Sequence, residues 1–420
     1  MKFKTTKRFL RTTYFRLRRT IRNSQKSNVC HIDASQFNVK IEKLSIGKLQ
    51  TFFGYYDITP FNPHSNKILA CGTDCTQRSP QKNETLQLAY FIRKKNNTYD
   101  YKIVDTTETW CWQQGCRLQW FNHGVDDWII YNKIINHQYG AIIKDLNKSD
   151  DSSISCYKMP IYCIDDTSKW ALSLNFSRLG RLRPGYGYST LKDKSMSNHA
   201  PEDDGIYLMD LSTGDVELII SLKQLSLFNP LHTMNGAQHY VNHLAFNRDG
   251  NRFMFFHLWD KDGKRYNRLI TCNKDGQDLY IVEDKGICSH YFWKTNEEMI
   301  ITNFDEKLRL KYILYTDKTK KRNIIGENDL TTDGHPTFRS DNQLLLTDTY
   351  PDKFGEQHLI LYSEKKGISK IATFKSPAKF YDELRCDLHP RWSDDGKEIC
   401  VDSVQGGKRS IYLIHLDSKK

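Results

Sequence analysis

From about residue 40 the chain alternates short apolar runs with polar turns, and the runs come in pairs. One recurring unit is an aromatic, a short polar turn and an apolar strand. It appears at Phe61 (FNPHSNKILACG), Trp120 (WFNHGVDDWIIYN), Phe246 (FNRDGNRFMFF), Trp293 (WKTNEEMIITNF), Phe338 (FRSDNQLLLTDTY) and Trp392 (WSDDGKEICVDS), with a weaker copy, WALSLNF, at Trp170. A second apolar run follows each, near Leu88, Ile142, Tyr207, Ile270, Ile313, Ile360 and Tyr412, at intervals of 43 to 65 residues. Short strands bounded by turn residues at this spacing predict an all-β fold, a seven-bladed β-propeller. A sandwich or two β domains would not give so regular an alternation. The last strand lies near the C-terminus, so the ring is expected to close on an N-terminal strand within VKIEKLSIG at 39–47. The propeller is therefore assigned to 39–420 and a separate arm to 1–38.

Composition changes this picture only at the arm. The net charge of +12 is uneven: ten of the 62 basic residues precede the first acid, Asp33, leaving 52 against 50 in the remainder. A nearly neutral body does not carry a nucleic-acid footprint. Within residues 1–28, Leu10, Tyr14, Leu17 and Ile21 follow helical spacing among arginines. That spacing suits a membrane-surface or partner-docking helix, a transit peptide, or a solvated tail. No apolar run is long enough to span a bilayer. The eleven cysteines are odd in number and scattered through apolar runs. They are expected to be buried thiols in a cytoplasmic protein, with the arm as the contact to the inner membrane.

Candidate chemistry sits in the histidines. His243 lies three residues before Phe246, His290 three before Trp293, His335 three before Phe338 and His389 three before Trp392. Equivalent positions of a repeat occupy equivalent places around the axis. The four imidazoles are therefore expected to meet over one end of the channel, with Arg117 at the same offset in blade two and Asp57 one residue further back in blade one. Each His alone would be read as a structural hydrogen-bonding group. Together they suit a metal or acid–base chemistry. With Cys386 three residues before His389, the set His290, His335, Cys386 and His389 suits a divalent metal, Zn²⁺ by ligand softness, with Mn²⁺ as the alternative.

A second concentration, FSRLGRLRPGYGY at 176–188, places Arg178, Arg181, Arg183, Tyr186 and Tyr188 in and before a Gly/Pro loop, and KRYNRL repeats the chemistry at Arg265, Tyr266 and Arg268. Arginine forks a carboxylate and tyrosine stacks or donates a proton, so these segments suit an anionic sugar. The alternative is a connector with solvated arginines.

These motifs resemble a known group. GYYD at 54–57, QQGCRLQW at 113–120, RPGYGY at 183–188, HYVNHLAF at 239–246, SHYFW at 289–293, DGHP at 333–336 and LRCDLHPRWSDDGK at 384–397 resemble the oligogalacturonate lyase and ulvan lyase group of propeller polysaccharide lyases. They resemble still more closely the relatives found among bacterial surface-polysaccharide genes. The resemblance covers about 45–417. It implies a seven-bladed propeller, a metal held by histidines of the later blades, and β-elimination on a uronic-acid glycan. His290 and His389 match the lyases' metal-binding segments. Where oligogalacturonate lyases carry a Gln and two His, this chain has Leu384, Asp387 and His389, so the ligand set differs. Gln113 and Gln114 stand where ulvan lyases carry a catalytic His, which leaves His243 and Tyr188 as candidates.

Elimination across C4–C5 of a uronate needs a neutralised carboxylate, a base for the C5 proton and an acid for the leaving O4. The expected roles are carboxylate binding by Arg183 or Arg268, with Arg117, His239 and Gln114 also on the substrate, the base at His243 and the acid at Tyr188, supported by His257. The alternative is a non-catalytic glycan-binding or assembly protein of a surface-polysaccharide pathway. A plain protein scaffold leaves the histidine register unexplained.

Overall fold

A computed structural model describes residues 31–32, 37–75, 80–81, 83–96, 98–148, 153–305, 307 and 309–418. The basic segment 1–28 lies outside the described residues. The described chain forms seven antiparallel sheets, one per blade, arranged as a seven-bladed β-propeller. Blade one runs through Gln50–Phe52, Lys67–Thr73, Leu86–Arg93 and Tyr99–Thr107, and blades two to six repeat that order, blade six with His31–Ile32 added as a fifth, outer strand. In blade seven the three C-terminal strands Arg391–Trp392, Glu398–Ser403 and Ser410–Ser418 are completed by the N-terminal strand Phe37–Leu44. That strand pairs antiparallel with the last one from Phe37↔Ser418 to Leu44↔Ile411. The ring is thus closed by both ends of the chain, on a strand overlapping the expected 39–47. Among the described residues no helix is long and apolar enough to cross a membrane.

The aromatic–turn–strand unit has a simple meaning here. The aromatic ends a short first strand, as at Trp120, Phe246, Trp293, Phe338 and Trp392, and the apolar run is the second strand, buried on both faces between blades. Leu, Ile, Phe and Cys of these second strands form the inter-blade core. The weak copy at Trp170 is out of step. Trp170 opens the second strand of blade three, whose first strand is Cys163–Ile164. Ile164 occupies the place where the other blades carry an aromatic, so the pattern at that blade was displaced.

First strands converge on the axis. The Tyr56 hydroxyl donates to the Tyr291 carbonyl at 2.6 Å, across 235 residues of sequence, and accepts from the Tyr291 N–H at 2.8 Å. The position three before the aromatic is where the first strand stops being regular. Arg117, His243 and His389 have φ of 57°, 60° and 45° there. Pairing slips between Asn242 and Ala245 in blade four and between Cys288 and His290 in blade five. Such a bulge re-aims one side chain out of the pleat. Left-handed backbone at a non-glycine costs on the order of 1–3 kcal/mol and persists only where surrounding structure enforces it. The histidine register therefore marks where the first strand is irregular, at a bulge in blades four and five and just ahead of the strand in blades six and seven.

One staple fixes blade seven to blade one. The buried Asp402 carboxylate accepts from the Phe53 and Gly54 N–H groups at 3.0 and 3.1 Å and from Arg391 Nη2 at 2.8 Å. Arg391 also donates to the Tyr55 and Gly54 carbonyls. Removing one partner of a buried pair strands the other charge. Asp402→Ala should lower the unfolding free energy by about 3–5 kcal/mol. A denaturant titration reads this, and an unchanged midpoint would show that the staple does not hold the ring.

Candidate metal centre and anion-binding mouth

His335 and His389 are brought into one centre by a carboxylate that no motif announced. Asp348, in the second strand of blade six, accepts from His335 N–H and from His335 Nδ1, both at 2.8 Å, through Oδ1. Its Oδ2 accepts from the His389 N–H at 3.2 Å. His389 Nδ1 in turn donates to the Gly54 carbonyl at 2.8 Å. With the proton of each ring on Nδ1, each Nε2 presents a lone pair, and both Nε2 atoms are buried without a hydrogen-bond partner. A polar atom left so is costly unless something occupies its lone pair. Imidazoles held through Nδ1 by a carboxylate or carbonyl, with Nε2 aimed inward, have the form of metal ligands. Asp387 supplies the third donor. One ligand atom each from His335, Asp387 and His389 lie within 4.8 Å of one another. Arg385 forks Asp387, with Nε 2.8 Å from both oxygens.

His290 lies beside this group, its ring centroid 4.0 Å from that of His335, which is 4.5 Å from that of His389. Its Nδ1 faces Asp333 at 3.2 Å and its Nε2 the Tyr350 hydroxyl at 3.3 Å. Burial, then the neighbouring His335, pushes His290 below the usual imidazole range, and burial with His335 and Arg391 pushes His389 well below it. Burial also opposes charging His335, but the Asp348 carboxylate outweighs it and raises that ring. The three rings therefore cannot all be imidazolium.

His243 stands on the other side of Tyr55. Its ring stacks on Tyr55 at 5.1 Å and 19°, while Tyr55 meets His389 edge-on at 4.8 Å. Nδ1 is 3.4 Å from the Tyr162 hydroxyl and Nε2 is 3.1 Å from Asn242 Nδ2. Burial, then Arg183 and His290, keeps it neutral. The four in-register histidines thus share one region, three in mutual contact and the fourth separated by a tyrosine.

Above them, two arginine–tyrosine stacks form the mouth. Arg385 lies 4.7 Å from the Tyr350 ring centroid and Arg183 4.1 Å from that of Tyr186. Arg385 is neutralised by Asp387. Arg183 has no carboxylate partner among the described residues, and its Nε is buried without a hydrogen-bond partner. Of Arg183 and Arg385 it is the one without a carboxylate among the described residues.

Several expected site residues lie elsewhere. Cys386 is not in the centre. In the extended segment it points opposite to Asp387, its thiol sits against Phe380 and Val404, and burial pushes it up to about 12. Tyr188 is not an acid at the mouth. Its ring stacks on Phe176 at 4.3 Å and its hydroxyl takes a hydrogen bond from Asn132 at 2.9 Å. Arg117 is spent on Asp57 as a fork of 3.1 and 2.9 Å and on the Tyr162 carbonyl. Gln114 donates to the Tyr162 hydroxyl at 3.1 Å, below the centre and not at the mouth.

His239, His257 and Arg268 form a separate buried chain in blade four. Arg268 Nε donates to His257 Nδ1 at 3.2 Å, which leaves the proton on His257 Nε2 to donate to His239 Nδ1 at 2.9 Å, and His239 Nε2 donates to the Met234 carbonyl at 3.2 Å. Arg268 also binds the carbonyls of Leu225, Phe228 and Asn229. The chain needs both rings neutral, and it is buried within blade four, apart from His335 and His389.

Sequence reasoning missed Asp348, Asp333, Tyr350, Arg385 and the separating Tyr55. All five lay inside quoted stretches, GYYD, DGHP, FRSDNQLLLTDTY and LRCDLHPRWSDDGK, without being assigned a role. Asp348 is 13 residues from His335, and nothing in the local pattern marks it as that ring's partner.

No family model matches the chain, and no curated protein matches it. Among solved structures it is similar to an oligogalacturonate lyase in complex with manganese, at a TM-score of 0.66 and 15% identity over 93% of this chain and 96% of that one. It is also similar to an oligogalacturonate lyase from Vibrio parahaemolyticus, at 0.63 and 12% over 90% and 96%. At such identities the likeness establishes the shared propeller fold.

The blade-four chain makes a pH prediction. Burial, then Arg178 and Arg268 against the opposing Met234 hydrogen bond, lowers His239 to about 4, and burial with Arg268 holds His257 well below the usual value. An unfolded histidine titrates near 6.5. Below about pH 6.5 the unfolded state binds protons that the native chain refuses, so this contribution is full above that pH and is lost towards pH 4. Unfolding free energies at pH 7.5 and 5 should differ, each group contributing up to about 1.4 kcal/mol per pH unit. Ring resonances of His239 and His257 that titrate near 6.5 in the folded protein would contradict it.

Proposed function

We propose that the protein is a metal-assisted polysaccharide lyase acting by β-elimination on a uronic-acid-containing glycan. The observation that carries this is the pair of partnerless Nε2 atoms on His335 and His389 beside Asp387, under a guanidinium, Arg183, with no carboxylate of its own. The donor set fits a divalent cation. With Cys386 out of it, softness no longer selects Zn²⁺ over Mn²⁺. Held by His335, Asp387 and His389, such an ion would supply positive charge against the uronate carboxylate and so acidify the C5 proton.

The chain's own residues do the rest. Arg183 binds and orients the carboxylate by a charge-assisted fork, and Tyr186, stacked beneath it, holds the guanidinium flat. His243, neutral and enclosed, accepts the C5 proton. Tyr350 replaces Tyr188 as the hydroxyl near the mouth and is kept protonated by burial. Burial of the centre excludes water from the developing carbanion. The resemblance to relatives among surface-polysaccharide genes supports a bacterial surface glycan as the natural class.

A binding protein without turnover is the second reading, and one observation favours it: both His243 nitrogens already face protein groups. His243→Ala separates the two, since a lyase loses turnover and a binder keeps its affinity.

The direct test is incubation of the metal-loaded protein with uronate oligosaccharides, oligogalacturonate included, with the ultraviolet absorbance of the C4=C5 product as readout. Signal should appear, vanish with chelator, and in Arg183→Gln require about tenfold or more substrate, the loss of one hydrogen bond to a charge. Silence across a broad uronate panel would overturn the lyase reading. Asp348→Asn should weaken metal affinity about 10–100-fold by loosening both imidazoles. Calorimetric titration reads this, and unchanged affinity would place the metal elsewhere.

A further inference from the structure

His243, His290, His335, His389, Asp387 and Tyr55 are each no more than 3% exposed. Neither an oligosaccharide nor a hydrated cation reaches His335 or His389 without a movement, and the packing shows which segment can move. Residues 183–186 border the centre through Tyr55: Tyr186 is edge-on to Tyr55 at 6.1 Å and to His243 at 5.7 Å, and Tyr55 in turn meets His335 at 6.0 Å and His389 at 4.8 Å edge-on.

Both ends of this strap are anchored. Before it, the helix Phe176–Leu182 is capped by Asn175, whose side chain accepts from the Arg178 N–H, and Arg178 ties it to the carbonyls of Ser195, Asn198, His199 and His239. After it, Gly187 is packed so tightly that an added Cβ would fall 2.2 Å from Gly180 N and 2.4 Å from the Phe176 carbonyl. Tyr188 then stacks on Phe176 and donates its N–H to the Phe176 carbonyl at 3.0 Å.

The middle is held by one hydrogen bond to the facing side and by the packing of Tyr186. The Gln113 N–H donates to the Gly185 carbonyl at 3.2 Å, and a Cβ added at Gly185, whose φ is 90°, would meet Glu383 only at van der Waals distance. The same Gln113 holds the facing loop, its Nε2 donating to the Arg385 carbonyl at 2.8 Å and the Glu383 carbonyl at 3.4 Å. One residue therefore latches the strap to the opposite side of the mouth.

We propose that residues 183–186 are a gate over the metal centre, with Gln113 as its latch and Gly185 as its flexible point. Swinging the strap outward uncovers His335 and His389 to a cation or an anionic sugar. Because Arg183 rides on it, a bound carboxylate draws the gate shut.

The test is chemical access. A Cβ built at Gly185 lies 3.6 Å from the Glu383 Cβ, within the separation a disulfide spans. Gly185→Cys with Glu383→Cys should therefore lock the gate on oxidation. The probe is diethyl pyrocarbonate, which acylates unprotonated imidazole nitrogens, with modification of His335 and His389 followed by peptide mass spectrometry and the exposed His64 and His232 as internal references. Oxidised protein should react at His335 and His389 about tenfold or more slowly than the same protein reduced, because access follows local opening. Gln113→Ala keeps the N–H that holds the Gly185 carbonyl but frees the facing loop at Glu383 and Arg385 from the same residue, and should react several-fold faster than the parent chain. Equal rates in the oxidised and reduced forms, or no acceleration in Gln113→Ala, would overturn the gate. Neither readout requires turnover or bound metal, so the lyase reading and the gate fail independently.

Discussion

A single buried carboxylate sets the chemistry of this molecule. Asp348 grips the backbone and Nδ1 of His335 with one oxygen and the backbone of His389 with the other, so blades six and seven meet through it. The Gly54 carbonyl completes the arrangement from blade one by taking the His389 proton. Two acceptors thereby fix two tautomers, and two buried lone pairs are left without a protein hydrogen-bond partner among the described residues. Closing the ring makes this possible, because the staple of Asp402 and Arg391 positions Gly54 where His389 can reach it. Fold stability and site chemistry meet at the same backbone carbonyl.

The arginines show how the protein separates structure from recognition. Arg117, Arg178, Arg268 and Arg391 are almost wholly buried, and each is engaged by carboxylates, backbone carbonyls or neighbouring side chains. Such groups hold elements together. Arg183 differs because its neighbours are tyrosines, which stack with a cation without neutralising it. Counting arginines in a loop cannot distinguish the two cases, which depend on what lies across the fold.

That distinction explains what was legible in the sequence. The seven blades could be read because each repeats one pattern of aromatic, turn and apolar strand, and repetition survives divergence. The histidine offset could be read because it marks one recurring place in the blade, where the first strand begins or turns irregular. Cys386 was placed with the donors because local spacing does not show that neighbours in an extended segment face opposite ways; it is Asp387 that stands beside His335 and His389. Tyr188 and the chain of His239, His257 and Arg268 were misread because local spacing carries no information about partners such as Asn132 or the carbonyls of 225–229. Asp348 was invisible for the same reason, lying on a second strand whose pattern reads only as core.

The decisive measurement is anomalous diffraction from crystals grown with Mn²⁺ or Zn²⁺. A peak about 2.0–2.2 Å from the Nε2 atoms of both His335 and His389 and from an Asp387 oxygen is the predicted result. No peak there, or an ion bound at another group of residues, would contradict the account at its root.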